Sequence, residues 1–199
     1  MITPSEIQRS LIGAWRIFLG RPDAMRFFDT STDGFWRSFQ AIVLVAPIYA
    51  VTALADWRAM ASNFVPDDGG VGAETFVAVK IVTLALDWVA LPVLLAALAG
   101  FLGIRRTYTA FIVARNWSTV LVILPFAAIA LLDIAGLMNE SLILFPSLAA
   151  LGFALRFGYM VARTALGVGI EVAIGIVALD FLVSLAIVRI VGRLTGVEG

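Results

Sequence analysis

Long apolar stretches separated by short polar segments set the pattern of this chain. Five of them cover about residues 38–57, 75–101, 117–137, 142–162 and 168–190. Each is close to the ~20 residues that a helix needs to cross the hydrocarbon core of a bilayer. The short alternating segments that a transmembrane β-barrel requires are absent from the sequence. The pattern therefore predicts an all-α fold, a polytopic membrane bundle of five transmembrane helices.

The first 37 residues have a different pattern, in which apolar and basic positions recur with a helical period. Thr3 as the N-cap, Pro4 at the first helical position and Glu6 at the third form a capping box. Gly20 and Pro22 then end the helix. An amphipathic helix of this kind is suited to a membrane interface, with Trp15 and Phe18 toward lipid or the bundle. The alternative is a helix that packs on the surface of its own domain.

A second short segment leads from this helix to the first apolar stretch. Residues 22–28 are compatible with a short helix, and residues 29–34 have the composition of a turn. Phe35, Trp36 and Arg37 follow, and aromatic residues beside a basic one are typical of the headgroup level of a membrane. We therefore interpret residues 1–37 as an interfacial segment, residues 38–190 as the transmembrane bundle and residues 191–199 as a short tail.

The distribution of basic residues predicts the orientation in the membrane. With the N-terminus inside, the inner segments carry nine Lys and Arg residues and the outer segments three, with Arg189 counted in the outer tail and Lys80 and Arg156 left aside within their stretches. Basic residues favour the cytoplasmic side. We expect an integral protein of a bacterial inner membrane, with its N-terminus in the cytoplasm and its C-terminus outside.

The amino-acid composition excludes several kinds of functional site. The chain is 61% apolar and 14% charged, and it contains no Cys and no His. Disulfides, Cys or His metal ligands and a His general base are therefore excluded. The net charge of zero gives no field that would attract nucleic acid. The acidic, Gly-rich loop between the first two stretches lacks the spacing of a calcium-binding loop. We predict no enzyme, no catalytic residue, no cofactor and no metal site.

Ionisable residues within the apolar stretches are the main functional candidates, because a charge inside a bilayer costs ~2.5–3.5 kcal/mol on insertion scales. In the second stretch, Lys80 and Asp87 are seven residues apart and share one helix face, with Thr83 between them. We expect Arg156 either to pair with a carboxylate, first Glu171 on the next helix and second Asp180, or to reach the inner interface with its side chain. The full set of intramembrane candidates is Lys80, Thr83, Asp87, Asp133, Arg156, Glu171 and Asp180.

Two interpretations of these residues remain open. Either they pair and lock the helices together, or Lys80, Asp87 and Asp180 line a polar cavity for an ion, a proton or a headgroup. The first favours a non-enzymatic scaffold or partner-binding protein, for example an accessory subunit of a larger membrane complex. The second favours a small transporter or channel component. Membrane lipids and other membrane proteins are the expected partners.

One local motif adds a resemblance to a known family. Asp33, Gly34, Phe35 and Trp36 stand just before the first predicted span, and Pro47, Ile48 and Tyr49 stand within it. Together with the five-span topology, these residues resemble the Yip family of Ypt/Rab-interacting membrane proteins and its bacterial relatives. The resemblance implies a five-span membrane fold, and the eukaryotic members act in vesicle traffic.

Overall fold

The computed structural model describes residues 2–62, 72–138 and 140–197. The described chain is helical and contains no strand. Its α-helices are α1 (Pro4–Phe18), α2 (Thr32–Ser38), α3 (Ile42–Ser62), α4 (Ala73–Leu98), α5 (Tyr108–Val122), α6 (Leu124–Ile134), α7 (Glu140–Leu166) and α8 (Ile170–Thr195). Two short 3-10 segments, Ala24–Phe27 and Phe39–Ala41, flank α2.

Five helical segments of the described chain are long and apolar enough to cross a membrane. They are Thr32–Ala61, Ala73–Leu98, Tyr108–Ile134, Leu142–Leu166 and Ile170–Thr195. The predicted all-α bundle with five such helices is therefore confirmed. The last helix continues to Thr195, so most of the predicted tail is its final turns. The acidic loop after the first span lies largely outside the described residues.

The third span is divided at Ile123. Pro125 has no N–H group to donate, so the backbone hydrogen-bond ladder is interrupted there and α6 begins with this proline in its first turn. Pro47, Pro92 and Pro146 lie inside α3, α4 and α7, and these helices continue through them.

The N-terminal segment folds onto the bundle. The Thr3 side chain accepts a hydrogen bond from the Glu6 N–H at 3.2 Å, as a capping residue should. The return contact of a capping box is replaced, because the Glu6 carboxylate accepts from Arg37 at 3.1 Å. Helix α1 packs against α5 and α7 and buries Ala14 and Ile17 completely. It therefore packs on the surface of its own domain, and it keeps an exposed apolar edge.

The connection between α1 and α3 differs from its prediction. The expected helix over 22–28 is a shorter 3-10 segment, and the expected turn over 29–34 gives way to α2 from Thr32. The Ser31 side chain caps α2 by accepting from the Gly34 N–H at 3.1 Å. Gly34 itself is required, since a Cβ there would collide with the Asp29 carbonyl oxygen. The polar residues that indicated a turn are thus a helix cap.

Four helices surround the centre of the bundle. Helices α4 and α8 pack together, as do α8 with α7 and α7 with α5, and α5 closes the ring on α4. Helix α3 packs outside this ring against α6, α4 and α5. Large side chains fill the core at the end of the bundle that carries α1, among them Leu91, Leu95, Ile112, Trp117 and Phe157.

Candidate functional site

A polar cavity of about 230 Å³ lies within the ring of α4, α5, α7 and α8. Its walls are mainly apolar, with Leu91, Phe111 and Phe157 among them. The polar part of the lining consists of Asp87, Arg115, Ser118, Thr119, Asp180 and Ser184. The structure therefore brings two of the sequence-predicted residues, Asp87 and Asp180, into one site.

The cavity contains an interhelical ion pair. Arg115 Nη2 on α5 donates to Asp180 Oδ1 on α8 at 3.0 Å. The Arg115 side chain is only 13% exposed, and its Nε is buried with no hydrogen-bond partner among the described residues. The charge of the guanidinium is therefore balanced by Asp180, and its Nε–H group remains available as a hydrogen-bond donor.

Asp87 has a different environment from Asp180. Its carboxylate is half-buried, and the Ser184 side chain lies within hydrogen-bonding reach. The charges of Arg115 and Asp180 are close enough to act on it. Within the described part of the chain, however, Asp87 forms no ion pair of its own. The three charged groups carry one more negative charge than positive when both carboxylates are ionised.

Two hydroxyl groups on α5 complete the polar lining. Thr119 donates to the Arg115 carbonyl oxygen at 3.0 Å, which satisfies its hydroxyl group. Ser118 is only 3% exposed, and its hydroxyl oxygen has no hydrogen-bond partner in the described chain. A buried hydroxyl group without a partner is costly, so it favours a ligand or water within the cavity.

The site lies well inside the bundle. Asp87 is 11 residues from the end of α4 at Leu98, and Asp180 is 10 residues from the start of α8 at Ile170. These two helix ends are on the same side of the bundle, because consecutive spans alternate in direction. At about 1.5 Å per residue, both carboxylates lie about 15 Å from that side, or half of the ~30 Å hydrocarbon core.

Sequence reasoning missed Arg115. The third apolar stretch was predicted to begin at Trp117, so Arg115 was assigned to the connection before it. The helix begins at Tyr108, and residues 111–114 are fully or almost fully buried. The apolar residues Phe111, Ile112, Val113 and Ala114 were the signal that the helix, and not a loop, carries Arg115.

A second polar group lies toward the opposite end of the bundle. Lys80 Nζ on α4 donates to Asp56 Oδ2 on α3 at 2.6 Å. Asp133 and Asp56 line a separate cavity of about 290 Å³ between α3, α6 and α7. Lys80 and Asp87 do lie on one side of α4, with Thr83 buried between them, but they belong to different polar groups. Asp56, near the end of the first predicted span, was also missed.

The predicted partners of Arg156 are wrong. Its guanidinium lies 5.1 Å from the ring centre of Phe18, and Nη2 donates to the Phe18 carbonyl oxygen at 3.4 Å. In the described chain it pairs with neither Glu171 nor Asp180, which is taken by Arg115. Phe18 ends α1, so its carbonyl is an unpaired acceptor at the negative end of a helix dipole. Glu171 is exposed in the first turn of α8, where that helix's dipole favours an acid.

The predicted interfacial aromatic residues divide into two groups. Phe18 packs on Phe153 and Phe157 of α7, with ring centres 4.8 and 5.2 Å away, while Trp15 stacks on Phe18 and stays 47% exposed. Phe35 is partly buried against the core, and Trp36 beside it is 66% exposed.

Arg37 acts as a bridge outside the cavity. It donates to the Glu6 carboxylate of α1 and to the Asp29 carboxylate before α2. This arginine therefore ties the N-terminal helix to the beginning of the first span.

No protein-family model, curated protein or solved structure matches this chain. The resemblance to the Yip family stays a prediction. Among the described residues, no group of three or more acidic side chains is placed to hold a metal ion.

Proposed function

We propose that the protein is a small membrane transporter or channel component that binds a proton or a small monovalent cation in the cavity between α4, α5, α7 and α8. The observation that carries this proposal is the position of Asp87. Its carboxylate lies in the membrane interior beside Arg115, whose charge is already paired with Asp180.

The charges explain why a cation would bind. An ionised carboxylate without a counter-ion is expensive at this depth, so Asp87 either takes up a proton or holds a cation. Arg115 serves as the counter-ion of Asp180. The hydroxyl oxygen atoms of Ser118 and Ser184 line the same cavity as this carboxylate, and Ser184 lies within hydrogen-bonding reach of it. The site therefore offers a carboxylate and neutral oxygens, which suit a small monovalent cation.

The test is ion flux through the purified protein in liposomes. The wild type should carry protons, Na⁺ or K⁺ down an imposed gradient, and separate gradients of the three ions identify which one. Asp87→Asn keeps the size of the side chain but removes the charge, and we expect it to reduce the flux to the level of empty liposomes. Glu171→Gln is the matched control, because this acid is exposed at the start of α8. Flux that survives in Asp87→Asn contradicts the proposal.

A scaffold or partner-binding role, for example as an accessory subunit, is the second candidate. It is favoured by the way in which Arg115 and Lys80 each pair with a carboxylate on another helix, as structural locks would. This role predicts no flux in the wild type and purification in mild detergent as a defined larger assembly with other membrane proteins.

We also propose that the N-terminus faces the cytoplasm of a bacterial cell and that the C-terminus lies outside its inner membrane. The distribution of basic residues supports this orientation, because the inner segments still carry eight and the outer segments three once Arg115 is left out as a residue of the bundle interior. Reporter fusions after residue 199 should be active outside, and fusions in the loop between α4 and α5 should be active inside. A cytoplasmic C-terminus would contradict the orientation.

A further inference from the structure

A groove runs along the exposed edge of α1 where this helix meets α5. It has a volume of about 510 Å³ and shares no lining residue with the polar cavity. Ile12, Trp15 and Leu19 of α1 form its apolar bed and are 43–50% exposed. The complete lining is Gln8, Leu11, Ile12, Trp15, Arg16, Leu19, Arg21 and Leu121.

The two arginines of the groove differ in what they contact. Arg16 donates to both oxygens of Asp23, at 2.7 and 2.6 Å, and lies over the Phe27 ring, so its charge is used within the protein. Arg21 is exposed, and its guanidinium has no ion-pair or hydrogen-bond partner in the described chain. The groove therefore combines an apolar surface with the Arg21 guanidinium, which has no partner among the described residues.

We propose that this groove binds an anionic phospholipid from the leaflet that faces α1. One acyl chain lies along Ile12, Trp15 and Leu19, and the phosphate group accepts hydrogen bonds from the free guanidinium of Arg21. The position of the groove argues for lipid, because Leu121 belongs to the segment Tyr108–Ile134, which is long and apolar enough to span the membrane. The charge argues for an anionic headgroup, because arginine binds phosphate through two parallel hydrogen bonds and a zwitterionic headgroup brings its own cation.

Quenching of Trp15 fluorescence by brominated lipid tests the proposal. The protein is reconstituted in phosphatidylcholine that contains a small fraction of brominated phosphatidylglycerol or, separately, brominated phosphatidylcholine. The difference between the wild type and Trp15→Phe isolates the emission of Trp15 from that of the other four tryptophans. We expect brominated phosphatidylglycerol to quench Trp15 more than brominated phosphatidylcholine does at the same fraction.

Arg26 provides the matched control. It is an exposed arginine on the same segment, but it is absent from the lining of the groove. A general attraction of anionic lipid is worth about fivefold in affinity for any basic residue near the surface, so it would fall equally in Arg21→Gln and Arg26→Gln. A site predicts that Arg21→Gln removes the preference for phosphatidylglycerol and that Arg26→Gln retains most of it.

Two results would overturn the proposal. One is equal quenching of Trp15 by the two brominated lipids in the wild type. The other is an equal loss of preference in the two arginine variants, which would assign the effect to surface charge alone. Since both arginines are exposed, circular dichroism and gel filtration of the variants should match the wild type.

Discussion

Arg115 on α5 and Asp180 on α8 form an ion pair of 3.0 Å inside the helix ring, and Asp87 on α4, which lines the same cavity, has no ion-pair partner among the described residues. Helices α5 and α8 are otherwise separated by α4 and α7, which complete the ring between them. The pair therefore joins opposite sides of the cavity and also sets the charge that a ligand would meet.

Removing one partner of this pair should cost more than removing both. Arg115→Leu leaves Asp180 with no counter-ion, and we expect the free energy of unfolding to fall by about 2 kcal/mol, below the range for fully buried pairs because Asp180 is 39% exposed. Adding Asp180→Leu should recover part of the loss. Denaturant-induced unfolding in detergent micelles measures both. Losses that simply add would mean that the pair contributes nothing as a unit.

The docking of α1 should depend on Gly13. A Cβ atom at this position would lie 2.7 Å from the Phe27 Cβ and 2.9 Å from two ring atoms of Phe28. Gly13→Ala should therefore destabilise the N-terminal segment by about 1–3 kcal/mol through overpacking. Limited proteolysis should cut this segment faster than in the wild type. Gly152→Ala is the control, because a Cβ there meets nothing within 4 Å, and an unchanged rate for Gly13→Ala would contradict the packing.

The apolar spans could be predicted because a run of ~20 apolar residues has few alternatives to a membrane helix. The beginning of α1 was equally readable, since Thr3 and Pro4 occupy the positions that a helix start prefers. The residues before α2 were not, because Asp, Ser, Thr and Gly suit both a turn and a helix cap. Only the contact of Ser31 with the Gly34 N–H distinguishes the two structures.

The polar cavity was harder to predict than the spans. Helix periodicity placed Lys80 and Asp87 on one side of α4, but it does not specify which neighbouring helix faces each residue. Lys80 meets Asp56 of α3, and Asp87 meets the cavity beside Arg115. These partners depend on the order of helices around the bundle. The depth of an acidic residue within a predicted span therefore identified the candidate acids, but it did not predict which basic residues pair with them.

Acid should loosen the N-terminal segment through Asp29. Ser31 donates hydrogen bonds to its carboxylate and Arg37 pairs with it, and these contacts hold the pKa of Asp29 below the ordinary value of 3.8. A depressed pKa contributes stability that is fully present above the ordinary value and is lost as the pH falls through the folded-state value. The stability of this segment should therefore decrease below about pH 4, measured as hydrogen exchange of residues 23–38 in micelles. Asp29→Asn should make this acid dependence shallower, and an unchanged dependence would assign it to other groups.

The contact between Arg156 and Phe18 predicts a small, independent effect of Arg156. Its side chain is exposed, its hydrogen bond to the Phe18 carbonyl oxygen is long, and stacking of an exposed cation on a ring is worth about 0.5–1 kcal/mol. Arg156→Leu should therefore lower the free energy of unfolding by about 1 kcal/mol or less. Glu171 lies at the start of α8 with no link to Arg156 in the described chain, so the effects of Arg156→Leu and Glu171→Leu should add. Thermal unfolding of the two single variants and the double variant measures this directly. A double variant more stable than Arg156→Leu alone would support the pairing of Arg156 with Glu171 after all.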